Sequence, residues 1–166
     1  MKSIIVKIDL AKAFDLVRWL FIKMILIHLG FPIAFTNWII FCINSTSFSI
    51  LINGSASHFF HAERGLRQGC PLSPLLFLLV MEGLSRFIAS AKREGRLKGL
   101  RMNELCHLTQ LLFVDDVLIF LDGGIRDSVS FHEILTLFEK STRMVVNQTK
   151  SMITLTHTTP QEFKVA

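Results

Sequence analysis

The first polar and apolar pattern in the chain is Ser3-Ile4-Ile5-Val6-Lys7-Ile8, a strand-like run that closes on Asp9. Residues 11–29 then repeat apolar positions at helical spacing, with Gly30 as a stop and Pro32 just beyond. A second helix is predicted over 34–44. Two strand-like runs, 47–52 and 56–62, flank Asn53-Gly54, a strong signal for a tight hairpin. The loop 65–69 leads into a long apolar helix over 73–92, whose Pro74 suits a first turn. Gly95 and Gly99 mark a turn and a short strand. Two unbroken apolar runs follow, Leu111 to Val114 and Val117 to Leu121, and Asp115-Asp116 between them reads as the tip of a β-hairpin. A third main helix is predicted over 126–142, with Phe131, Leu135 and Phe138 on one face, and closing strands over 144–146 and 151–155. This order describes an α+β fold, a mostly antiparallel sheet backed by helices, with one domain over 1–155 and a short tail over 156–166.

Composition sharpens the picture. The 166 residues are 51% apolar and only 19% charged, and the mean hydropathy is +0.48. Either a membrane or a missing neighbour would explain so apolar a chain. Residues 24–43 carry no Asp, Glu, Lys or Arg and are about long enough to span a bilayer. Gly30-Phe31-Pro32 interrupts them, so two shorter buried helices fit better than a small membrane protein. Lys7 and Asp9 stand where a signal peptide needs an apolar core, and the odd set Cys42, Cys70 and Cys106 suggests reduced thiols. The expectation is an intracellular protein, in cytoplasm or nucleus, with no membrane partner. The net charge of +5 favours an anionic partner. Six cations lie between Arg86 and Arg101 against one acid, Glu94, which makes Arg93, Arg96, Lys98 and Arg101 candidates for phosphate contact; a solvated helix end would account for them equally well.

The candidate chemistry centres on Asp115 and Asp116. Taken alone, an Asp pair at a hairpin tip most often only forms the turn. Ionised acids beside so much apolar surface are costly unless a positive charge meets them. No cation lies between Arg101 and Asp115, and the next one downstream is Arg126. A divalent metal is therefore the natural partner, with Asp9 at the end of the first strand as a further ligand.

Three segments in fixed order resemble the palm of a reverse transcriptase, most closely that of LINE-type (non-LTR) retrotransposons and particularly plant ones. Lys7-Ile8-Asp9-Leu10-Ala11-Lys12-Ala13-Phe14-Asp15 resembles motif A. The run Arg64-Gly65-Leu66-Arg67-Gln68-Gly69-Cys70-Pro71-Leu72-Ser73, with its lead-in hairpin, resembles motif B. Leu112-Phe113-Val114-Asp115-Asp116 resembles motif C, and Asn147-Gln148-Thr149-Lys150-Ser151 is a weaker likeness of the end of motif D. The resemblance implies an RNA-directed DNA polymerase that transfers a nucleotide from dNTP to a primer 3′-hydroxyl on an RNA template. It implies two Mg²⁺, or Mn²⁺, held by Asp9, Asp115, Asp116 and the Leu10 carbonyl, with Asp115 the stronger of the pair. Phe14 would be a steric gate under the incoming sugar, Gln68, Gly69 and Arg67 would meet substrate, and Lys150 would be a general acid for pyrophosphate. Gly65 and Gly69 would let backbone approach nucleic acid closely. Asp15 is expected to be a helix acid near Lys12 and Arg18 with no metal role.

Four departures qualify the likeness. Cys70 stands where many members carry Asp, Val114 replaces the commoner Ala, and Val145 replaces a basic residue. Arg143 stands where Gly is usual, which would strain a turn that needs positive φ. The resemblance further implies that fingers, thumb and endonuclease domains lie in neighbouring sequence, and that this segment alone is weakly active or inactive. A catalytically dead retroelement remnant that retains nucleic-acid binding is the alternative.

Overall fold

The structure is a computed structural model that describes residues 2–104 and 106–157. Chain order gives β1 (Lys2–Ile8), β2 (Leu10–Ala11), α1 (Ala13–Leu16), α2 (Trp19–His28) and α3 (Ile33–Asn44). A long hairpin follows in four short pieces, β3 (Ser47–Phe48), β4 (Leu51–Ile52), β5 (Ser55–Ala56) and β6 (Phe60–His61). Then come α4 (Leu72–Arg93), β7 (Leu100–Arg101), β8 (His107–Leu108), β9 (Gln110–Phe113), β10 (Asp116–Leu121), α5 (Ile125–Thr142), β11 (Val145–Val146) and β12 (Met152–His157). The tail expected over 156–166 lies, past His157, outside the described residues.

The main sheet is antiparallel in the order β12-β1-β10-β9. Its register pairs Ile8 with Val117 and Val6 with Ile119, and these side chains face the helices. Ile8, Val117, Ile119 and Leu121 share one core with Leu76, Phe77, Val80 and Leu84 of α4 and Phe131, Ile134 and Phe138 of α5. Burying a side chain of this size contributes about 1.5–3 kcal/mol, so the core fixes the two central strands firmly. Alternation sends Lys7, Leu111, Phe113, Asp116 and Met152 to the opposite face, where all five are exposed. The fold is α+β as expected.

Two expectations need correction, the unbroken helix over 11–29 and the burial of both helices over 24–43. The helix predicted over 11–29 is broken: Leu10–Ala11 pair with β11, Lys12 is left-handed at φ 47, and Val17 and Arg18 are extended. Tertiary partners take the backbone groups that a continuous helix would use. Arg18 N donates to Thr142 O, while Val17 O and Phe14 O accept from Gly65 N and Leu66 N. The 24–43 stretch is divided as expected between α2 and α3, of 10 and 12 residues, by the turn at Gly30, where Phe31 N donates to Leu26 O in a Schellman-type stop, but in α3 only Thr36 is buried. Among the described residues one helix is long and apolar enough to cross a membrane, Leu72–Arg93, and it is the core helix α4.

Candidate active site

The Asp pair sits at a hairpin tip, as predicted. Phe113 pairs with Asp116, so the loop is the two residues Val114 and Asp115. Val114 has φ 55; it is a turn residue and not the last residue of a strand, and its branched side chain occupies a left-handed conformation. Asp116 begins β10 and makes an ion pair with Lys7 Nζ at 3.2 Å across the sheet. The cation near the pair thus comes from β1, not from the flanking sequence. Ile8–Val117 is the last pair of the β1–β10 register, and Asp9 and Asp116 are the residues that follow it on either chain segment. Asp115 stays in the turn. Among the described residues no three His, Cys, Asp or Glu side chains converge closely enough to hold a metal ion.

Asp9 is fixed by its backbone from the far end of the chain. Its N–H donates to Ser151 Oγ at 3.1 Å, and its carbonyl accepts Asn147 N at 2.8 Å. Asn147 Oδ1 in turn accepts from Thr149 N and Thr149 Oγ1, which closes a tight turn that also carries Lys150. Sequence reading singled out Lys150 in this segment and passed over Asn147 and Ser151, because their role depends on a contact with the opposite end of the chain. Lys150 is exposed on that turn. The strain foreseen at Arg143 is present: it caps α5 at φ 66.

A second seam joins motif A to motif B. Phe14 is half-buried and its ring stacks on Phe77 at 4.5 Å. Gly65, at φ 88, lies so close that a Cβ would come within 2.6 Å of the Asp15 carbonyl oxygen. Its tight approach is to the backbone of Asp15. Trp19 Nε1 donates to Gly65 O at 2.7 Å. Asp15, expected to pair with Lys12 or Arg18, instead accepts from Gln68 Nε2 at 3.3 Å. Gly69, at φ 83, is exposed with open space around it, and Arg67 is exposed beside it. Cys70 precedes α4, whose N-cap is Pro71 with no side-chain cap, and its carbonyl accepts Ser73 N at 3.1 Å. Hydrogen bonding from the Leu72 N–H, chiefly, and from Ser73 holds its thiol pKa below the ordinary value, with a smaller contribution from Arg67.

The basic segment is largely compensated internally. Arg86 pairs with Glu82, Arg96 with Glu94 and more distantly with Glu133, and Lys92 Nζ donates to His107 O. The backbone N–H groups of Lys98 and Gly99 are held by the buried Asp127 carboxylate, which also accepts from Asp122 N. Asp127 is a structural anchor that sequence reading missed. Arg93 lines a cleft of about 750 Å³ between α2 and α4 that contains no other predicted site residue, and Arg101 is exposed on β7.

Comparison with known proteins adds the family context. Residues 1–165 match the family described as reverse transcriptase (RNA-dependent DNA polymerase). The chain is 46% identical over 67 residues to an uncharacterized mitochondrial protein of Arabidopsis thaliana, covering 40% of this chain and 55% of that protein. It is 28% identical over 121 residues to the retrovirus-related Pol polyprotein from the type-1 retrotransposable element R2 of Popillia japonica, covering 73% of this chain and 19% of the polyprotein. In Drosophila melanogaster the Pol polyprotein from the type-2 element R2DM is 36% identical over 86 residues, 52% of this chain and 8% of the polyprotein. Among solved structures, telomerase from Candida albicans in complex with a TWJ fragment of telomeric RNA superposes with a TM-score of 0.70 at 14% identity, over 96% of this chain and 28% of that one. That likeness is one of fold.

Proposed function

The chain belongs to the reverse transcriptase (RNA-dependent DNA polymerase) family, and we propose that it forms the palm of a retrotransposon enzyme that extends a DNA primer with dNTPs on an RNA template. One observation supports this reading above the others. The Ile8–Val117 pair brings the end of β1, just before Asp9, beside Asp116 at the start of β10, and the Asn147–Ser151 turn clamps the backbone of Asp9.

The donor set suits a hard divalent cation, being carboxylates without thiolate or imidazole. Asp116 already attracts a cation on the open face, the Lys7 ammonium. Asp9, Asp115, Asp116 and the Leu10 carbonyl would hold the metal ions. Two bound Mg²⁺ would supply the charge that favours a deprotonated primer hydroxyl and a departing pyrophosphate. The rest falls to the chain's own side chains. Phe14, braced on Phe77, would lie under the incoming sugar and exclude a 2′-hydroxyl. Gln68, held by Asp15, would sit by the new base pair, while the open backbone at Gly69 admits close approach. Arg67 offers an exposed cation to phosphate, and Lys150 a proton to the leaving group.

Since the chain spans about a fifth of the Popillia japonica polyprotein, the test uses a complete frame. A chimera carrying this chain in place of the matching segment of that polyprotein is expected to extend a DNA primer on an RNA template with Mg²⁺ and dNTPs. Asp9→Asn or Asp116→Asn in the chimera should cost roughly 100- to 1,000-fold or more in rate, by analogy with the loss of other preorganised charge stabilisation. Equal extension by the parent chimera and both variants would refute the assignment.

A further inference from the structure

Helical spacing repeats on both walls of the cleft of about 750 Å³ between α2 and α4. α2 lines it with Phe21, Met24, Ile25 and His28, positions i, i+3, i+4 and i+7. α4 lines it with Gly83, Phe87 and Ser90, positions i, i+4 and i+7. These are the intervals at which a third helix reads the groove between two others. Gly83 lets the walls approach, since a Cβ there would come within 2.7 Å of the Phe21 ring. The floor is apolar, with Phe21 and Ile25 buried and Phe87 half-buried. Met24 at 60% exposure and Ile27 at 46% stand open on the wall.

The rim is basic. Arg86 and Arg93 stand seven residues apart on α4, about 10 Å along its axis, and His28 ends α2 on the other wall. No acid lines the cleft. Arg93 is exposed and makes no ion pair with another described residue, while Arg86 is held through Nε by Glu82. Glu94, next to Arg93, is engaged by Ser90 Oγ and Arg96. An apolar trough edged by guanidiniums two turns apart complements a helix whose apolar stripe is flanked by carboxylates at the same interval. A single-stranded nucleic acid fits less well, because its bases would meet aliphatic Met24, Ile25 and Ile27 where they need aromatic faces. A compact metabolite needs polar groups that converge, and these lie along an edge.

We propose that the α2–α4 cleft docks an acidic amphipathic helix of a partner protein, with large apolar side chains on Phe21, Met24 and Phe87 and carboxylates on Arg86 and Arg93. A second copy of the chain does not offer such a helix, since α5, which carries Glu133 and Glu139, buries its apolar face in its own core. Asp116 lies on the open face of the sheet and α4 packs on the opposite one, so a docked helix leaves that acid clear. The inference is independent of the polymerase reading, and it gives Arg93 a protein contact in place of the phosphate contact expected from sequence.

Fluorescence anisotropy of the intact chain with two labelled helical peptides tests it. Both carry leucines at helical spacing; one has glutamates two turns apart beside that stripe, the other lysines at the same places. The glutamate peptide should bind more tightly by roughly 2- to 25-fold, at about 1.5- to 5-fold for each of two exposed ion pairs. Arg86→Glu/Arg93→Glu should reverse the order of the two peptides. Met24→Ala/Ile27→Ala, which alters exposed side chains, should weaken the glutamate peptide about 10-fold with circular dichroism unchanged. Equal affinity for the two peptides, or glutamate-peptide binding unmoved by both double variants, overturns the proposal. Two other outcomes overturn it by naming a different occupant. One is displacement of the peptide by single-stranded RNA whose own binding is lost in Arg93→Glu. The other is a dimer in sedimentation that Met24→Ala/Ile27→Ala dissociates.

Discussion

Val114 carries the clearest local strain in the site. A β-branched residue at φ 55 costs about 1–3 kcal/mol, and here it is the first of the two residues that turn the Asp hairpin. Val114→Gly should therefore raise the free energy of unfolding by about 1 kcal/mol in a urea titration, the relief of strain outweighing the added freedom of the unfolded chain. An equal loss of stability would mean that the valine methyls make contacts worth more than the strain. The hairpin itself was legible because two apolar runs flank the acids. The register was not, since a valine normally belongs to the strand beside the turn and gives no sign that it stands inside it. Lys7 and Ser151 were hidden for a different reason. Their partners, Asp116 and Asp9, lie at the other end of the sequence, and only the β1–β10 register and the Asn147–Ser151 turn bring them together. Asp127 shows the same limit, as three backbone N–H groups from two separate loops converge on its carboxylate.

At the scale of elements, α4 starts two residues after Cys70, whose carbonyl accepts Ser73 N and whose thiol pKa is lowered chiefly by the Leu72 N–H. A carboxylate in its place would accept such a hydrogen bond more strongly. A thiol whose pKa is lower in the folded chain than in the unfolded one adds stability above the unfolded value. That stability is lost as the pH falls through the folded value. Iodoacetamide labelling of Cys70 should accordingly reach its half-maximal rate at a pH below the ordinary thiol midpoint, and Cys70→Asp should raise the melting temperature while Cys70→Ala lowers it. A midpoint at or above the ordinary value would contradict this interaction. The helices α3, α4 and α5 begin and end within one residue of the bounds read from periodicity and from their Gly and Pro punctuation. The break between α1 and α2 was not legible, because no Gly or Pro makes it. Carbonyl and amide partners at Thr142, Gly65 and Leu66 pull the chain straight there. Arg143 is the converse case, where a sequence departure announced a left-handed residue that the structure contains.

The whole molecule is a sheet with one face buried under α4 and α5 and the other open, and the open face carries the acids. Trp38 at 68% exposure, Phe41 at 72% and Phe113 at 77% show where the high apolar fraction goes. Much of it is surface, which composition alone could not separate from a membrane span. Surfaces of this kind mark contacts with other protein or ligand. The proposed function requires that Asp9 and the Asp hairpin, carried by distant segments, bind a divalent metal together. Titration calorimetry with Mg²⁺ and Mn²⁺ tests it most directly, on the parent chain, Asp116→Asn and Ser151→Ala. Binding in the parent, its loss in Asp116→Asn, and a weakening of about 5- to 10-fold in Ser151→Ala that Ser151→Thr restores are the expected results, the last matching one lost hydrogen bond. Equal heats from the parent and Asp116→Asn, both folded by circular dichroism, would contradict the account.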